Sequence, residues 1–135
     1  MRAVAWVLFL VAGCGRIETV PVTGTVTVDG GPPPAEGVLY FQPTQSASDY
    51  TARPGLAKFD TDGSYEAKSG TSVGLVPGHY EVGVECWKSP PNMEGKPVIS
   101  HIPEAYRASS KSGFDVEVAP DAGIVRFDVE IVTNE

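Results

Sequence analysis

Two cysteines, Cys14 and Cys86, are all that this chain of 135 residues carries. That is too few for a disulfide framework. Histidine is as scarce, with only His79 and His101, and there is no Cys-x-x-Cys. A zinc centre needs three or four suitably spaced ligands, so none is expected. Cations are outnumbered, 10 Lys and Arg against 17 Asp and Glu, for a net charge of −7. Nucleic acids and anionic lipid surfaces select basic patches, so neither is an expected partner. The carboxylates are spread along the chain without a run and read as solubilising. The long apolar run at residues 3–12 falls well short of the about 20 residues that a permanent membrane helix requires.

What is present begins at that run. Arg2 supplies one positive charge, residues 3–12 an apolar core, and Gly13 a small residue immediately before Cys14. This is the layout of a secretory signal. The quartet Val11-Ala12-Gly13-Cys14 resembles a bacterial lipobox. The resemblance implies a diacylglycerol thioether on Cys14, cleavage before it and acylation of the new amine. A plain signal peptide prefers an A-x-A-like site, whereas here the small residues abut the cysteine. Each buried CH₂ of an acyl chain contributes about 0.8 kcal/mol, and stable anchoring takes two chains. Gly15 replaces the Asp that holds some lipoproteins at the inner membrane, which points to the outer membrane or another extracytoplasmic face. The expected organisation is a signal at 1–13, a tether at 14–19 and one domain at 20–135. Loss of residues 1–13 leaves 122 residues and, with Arg2 gone, shifts the net charge from −7 to −8. That length supports a single core.

Fifteen glycines and twelve prolines punctuate short alternating runs, the signature of an all-β fold. Strands are expected over 21–28, 38–41, 56–59, 64–67, 79–85, 114–118 and 124–131. Asp29-Gly30-Gly31, Asp60-Thr61-Asp62-Gly63, Leu75-Val76-Pro77-Gly78 and Pro120-Asp121-Ala122-Gly123 supply turns. The second strand is expected to close at Pro43, with a mobile polar loop over 44–54. Residues 87–113 form a long connection, in which Ile102-Pro103-Glu104-Ala105-Tyr106-Arg107 favours one helical turn with Pro103 at its first position. Long connections in compact domains are often functional. The expected fold is a seven-stranded antiparallel two-sheet sandwich.

Three phrases occur in a telling order: Val22-Thr23-Gly24-Thr25-Val26 through Asp29-Gly30, then Asp60-Thr61-Asp62-Gly63-Ser64-Tyr65, then Leu75-Val76-Pro77-Gly78-His79-Tyr80-Glu81-Val82-Gly83-Val84. Together they resemble the carboxypeptidase regulatory-like domain, of the transthyretin-like (prealbumin-like) and Cna-B-like sandwiches. Ile102-Pro103-Glu104-Ala105-Tyr106 and Phe114-Asp115-Val116-Glu117-Val118 look like the tail of small bacterial lipoproteins of this type. The resemblance implies a fold and an accessory role, without a reaction. Some Cna-B domains carry a Lys–Asn amide crosslink; the first strand here has no Lys, and Asn134 lies past the last periodic residue. Transthyretin-like folds also include a hydrolase of a purine breakdown product, which would require His and Arg residues converging in an oligomer cleft.

Catalytic patterns are not matched. Asp60-Thr61-Asp62-Gly63 opens like a calcium loop, but its twelfth position is Thr71 where a bidentate Glu belongs. No Gly-x-Ser-x-Gly elbow occurs. Cys86, at a strand end, reads as a buried small hydrophobe. Trp87 and Tyr106, on the long connection, are the candidate ligand-binding aromatics, against the alternative that they cap an open end of the core. The expectation is a non-enzymatic, lipid-anchored envelope protein without cofactor or metal. Its partners are the membrane, through Cys14, and another envelope protein or a glycan. The alternatives are a carbohydrate- or peptide-binding domain using the 87–113 connection, and a soluble carrier or hydrolase.

Overall fold

The computed structural model describes residues 18–89 and 92–133. The expected signal at 1–13, the acylation site Cys14, Arg16 and Asn134 lie outside the described residues. The rest is all-β. In chain order come β1 (Val22–Val28), β2 (Gly37–Ser46), β3 (Gly55–Phe59), β4 (Ser64–Glu66), β5 (Lys68–Ser69), β6 (Ser72–Val73), β7 (Gly78–Glu85), β8 (Trp87–Ser89) and β9 (Ile99–Ser100). A 3₁₀ turn at Glu104–Tyr106 precedes β10 (Asp115–Val118), β11 (Val125–Arg126) and β12 (Val129–Ile131).

The period-two pattern decides which face of each strand is buried. Val22 and Val26 of β1, Ala57 and Phe59 of β3, Val116 and Val118 of β10, and Val129 and Ile131 of β12 all point into one core. Each large side chain so buried contributes about 1.5–3 kcal/mol. The strands hydrogen-bond in the order β10-β7-β2-β3-β4-β1-β11, with β12 also on β1 and β5 and β6 extending from β3. This sheet curls around the core. Phe41 of β2 packs on Tyr65 of β4 across the interior, with ring centroids 6.3 Å apart, and edge-on against Tyr80 of β7 at 6.5 Å.

Turn chemistry matches local sequence. Asp29 (φ 54°) and Gly30 (φ 83°) are both left-handed, and Val28 and Gly31 exchange backbone hydrogen bonds around them. Two positive-φ residues make a type I′ hairpin turn, which Asp-Gly favours. At the β3–β4 turn Gly63 takes φ 88°, and the Asp62 carboxylate accepts from the Ser64 backbone N–H and hydroxyl. After Pro77 and Gly78, Tyr80 is fully buried and its hydroxyl donates back to the Val76 carbonyl. That closure is a tyrosine corner.

Several expectations are corrected. The last strand pairs parallel to β1, with Val22 opposite Val125 and Val26 opposite Val129, so the sheet is mixed where purely antiparallel pairing was expected. Its ladder breaks between β11 and β12 because the Asp128 carboxylate takes the Thr25 backbone N–H at 3.0 Å. β2 does not close at Pro43; a register irregularity between Pro43 and Gln45 absorbs the missing N–H, and pairing runs on to Ser46. The expected seven strands thereby become shorter segments of a ten-stranded sheet, with β8 and β9 forming a separate two-stranded one. The 3₁₀ turn does form, but Pro103 (φ −59°, ψ 146°) caps it from outside the first helical position.

Candidate functional site

The long connection returns across the outer face of the sheet at Gly83. An added Cβ there would lie 2.7 Å from the Arg107 carbonyl oxygen, so only glycine lets the chain approach. This crossing sets the surroundings of both sequence-predicted aromatics. The Arg107 guanidinium sits 5.0 Å from the Trp87 ring centroid. The Trp87 indole N–H donates to Glu85 Oε1 at 3.1 Å, and the Tyr40 hydroxyl donates to the same oxygen at 3.1 Å. Burial, then the Glu85 charge, pushes the Tyr40 pKa up. Arg107 also faces Glu104 at 3.6 Å. One face and the N–H of Trp87 are therefore spent on holding the connection to the sheet.

Tyr106 is engaged elsewhere. Its ring stacks on Phe114 with centroids 5.5 Å apart and 13° between planes. Its hydroxyl lies 3.3 Å from both the Val132 carbonyl oxygen and the Val132 N–H. Tyr106 thus ties the 3₁₀ turn to the chain after β12. Among the described residues Trp87 and Tyr106 form no ring contact or hydrogen bond with each other, each being held by different partners.

Cys86 is buried, its thiol donates to the Ala35 carbonyl oxygen at 3.4 Å, and burial pushes its pKa up. Those are the properties of an inert thiol. His79 has Thr44 Oγ1 3.0 Å from its Nδ1 and Asp115 3.9 Å from its Nε2. The Thr44 hydroxyl also donates to the His79 carbonyl oxygen at 3.2 Å. The group has the residue types of a nucleophilic triad, but the Asp lies beyond hydrogen-bond distance. Among the described residues no group of three or more His, Cys, Asp or Glu is placed to hold a metal ion, and no helix is long and apolar enough to cross a membrane.

A different surface stands out. On the outer face Tyr40 of β2 lies opposite Leu56 of β3, Leu56 opposite Lys68 of β5, and Lys68 opposite Val73 of β6. Tyr40, Leu56 and Val73 are 39%, 40% and 47% exposed. Three exposed large apolar side chains thus fall in one row across four strands, with Lys68 inside it. Beside the row is an open groove of about 340 Å³, lined by Leu56, Lys58, Glu66, Lys68 and Gly70. Among the described residues, neither Lys58 nor Lys68 has a carboxylate within ion-pair distance. Sequence reasoning missed this row. The alternation Leu56-Ala57-Lys58-Phe59 does place Leu56 with Lys58 on the outer face, but nothing local says that Tyr40 and Val73 line up with it.

No family model matches the chain, and neither a curated protein nor a solved structure matches it.

Proposed function

We propose that this chain is a non-catalytic, lipid-anchored envelope protein: one binding module held at an extracytoplasmic membrane face through acyl chains on Cys14. The module is of the carboxypeptidase regulatory-like, transthyretin-like type, with the curled sheet as its sandwich. Two things support that assignment: the ordered phrases around Gly24, Gly63 and Tyr80, and the tyrosine corner, a device of Greek-key sandwiches.

The observation that carries the binding role is the row Tyr40–Leu56–Val73. Single exposed apolar residues are ordinary, but Tyr40, Leu56 and Val73 aligned in one row, with Lys68 among them, support reading this face as an interaction site. The alternative that uses the 87–113 connection has less support, since Trp87 is committed to Arg107 and Glu85 and Tyr106 to Phe114 and Val132. The hydrolase alternative needs His and Arg together. Instead Arg107 engages Trp87, Arg126 engages Asp128 and Thr25, and His79 faces Thr44.

Two measurements test the proposal. Mass spectrometry of the mature N-terminus is expected to show an acylated Cys14; an unmodified cysteine overturns the anchor. The Cys14→Ser chain, which cannot be acylated, is expected to co-sediment with isolated cell envelopes and to lose that binding in a Tyr40→Ser, Leu56→Ser variant. No co-sedimentation, or none that depends on the row, overturns the binding role.

A further inference from the structure

The row and the groove beside it differ in chemistry, and the difference indicates a ligand. The row is extended and carries three apolar side chains with Lys68 among them. From Tyr40 to Val73 it crosses three inter-strand spacings, about 14 Å. That is longer than one small ring and suits a chain of them. The groove combines the exposed apolar side chain of Leu56 with the charged side chains of Lys58, Glu66 and Lys68. Its volume falls at the lower end of the usual range for small-molecule sites, about 300–1,000 Å³.

The charges are unevenly placed. The chain as a whole is acidic, yet the groove holds two lysines against the single carboxylate of Glu66. Lys68 faces Leu56, and Lys58 stands two residues further along β3, so the two are diagonal neighbours on one face. Diagonal neighbours on paired strands are about 7–8 Å apart, their Cβ atoms somewhat closer. Two flexible side chains at that spacing can converge on one carboxylate. An ionised carboxylate such as that of Glu66 is an acceptor for hydroxyl groups, and the backbone at Gly70 (φ 63°) borders the groove without a side chain above it.

We infer that this face binds an acidic polysaccharide. Uronic acid units would place the C–H face of a sugar ring on Leu56 and Tyr40, a carboxylate between Lys58 and Lys68, and hydroxyls toward Glu66. The inference deepens the binding role proposed above and rests on it. It moves the glycan site away from Trp87, whose N–H and one ring face are already occupied. Neutral polymers lack the group the lysines would hold, and polyphosphates lack the apolar ring face that the row would cover.

Calorimetric titration of the Cys14→Ser chain with oligogalacturonate tests this, with dextran and polyphosphate as comparison probes. Binding is expected to oligogalacturonate alone, weakened at least tenfold by Lys58→Gln with Lys68→Gln and by Leu56→Ser. It should also weaken as salt is raised, since the lysines are exposed. Circular dichroism melts of each variant confirm that the fold is retained. No binding, equal binding of dextran or polyphosphate, or binding indifferent to the lysines in a folded variant overturns the inference. If envelope co-sedimentation persists while oligogalacturonate fails, the acidic glycan is wrong and the binding module stands.

Discussion

Replacing Tyr80 with Phe removes one oxygen atom from the interior and nothing else. The ring is fully buried, so Phe fills almost the same space and keeps its edge-on packing against Phe41. What is lost is the donor to the Val76 carbonyl, in a residue that is itself only 3% exposed, together with the hydroxyl's interaction with the Arg53 backbone. A buried acceptor left without a partner costs about 1–3 kcal/mol. Total stability for a domain is about 5–15 kcal/mol, so the change is a large fraction of it. Urea unfolding followed by circular dichroism is the assay. With a slope of about 1–3 kcal/mol per molar urea, the midpoint is expected to fall by about 1 M with the slope unchanged. A shift below about 0.2 M would refute the reasoning, because it would mean the corner hydrogen bond is replaced at no cost. Tyr40→Phe is the control. Its hydroxyl meets Glu85 at the surface, and the midpoint is expected to stay within error of the parent.

Burial raises the pKa of both Tyr65 and Tyr80, in Tyr80 partly offset by the Arg53 backbone. A raised folded pKa favours the neutral phenol, so this stability is complete below the unfolded value of about 10 and is lost as pH rises above it. Urea midpoints should hold steady to about pH 9 and fall beyond pH 10, less steeply in Tyr80→Phe. Gly24→Ala should be more damaging than its size suggests, since the new Cβ would stand 1.9 Å from the Phe127 carbonyl oxygen and 2.9 Å from the Tyr65 hydroxyl. A loss of about 3 kcal/mol is expected by thermal melting. Hydrogen bonds from the Thr133 hydroxyl and N–H lower the Asp29 pKa, so this clamp holds above the ordinary carboxylate range and is lost as pH falls through the lowered value. Limited proteolysis by pepsin should therefore release the end of the chain at low pH first, and equally early in Asp29→Asn at higher pH. Cys86 should resist a thiol reagent in the native state and react on unfolding in urea; rapid native reaction would contradict its burial.

Face assignment was legible wherever a strand alternates cleanly. Val22 to Val26 and Asp115 to Val118 announce which side is buried, and the structure agrees. So were the turns, because Asp29-Gly30 and Gly63 carry their own backbone preferences. β2 was only half legible. Val38-Leu39-Tyr40-Phe41 is apolar throughout, so the outward set of Tyr40 and the inward set of Leu39 and Phe41 could not be told apart by period.

Local chemistry alone thus determined that this chain is all-β, where most of its strands and turns fall, and that Cys86 is buried. These depend on residue type and on neighbours within a few positions. Only the tertiary structure decided that the last strand lies parallel to the first, that Arg107 covers Trp87, and that Tyr40, Leu56 and Val73 form one row. Those residues are brought together by register between strands distant in sequence. Register follows from the packing of the whole core, where a slip of one residue would turn every side chain to the other face.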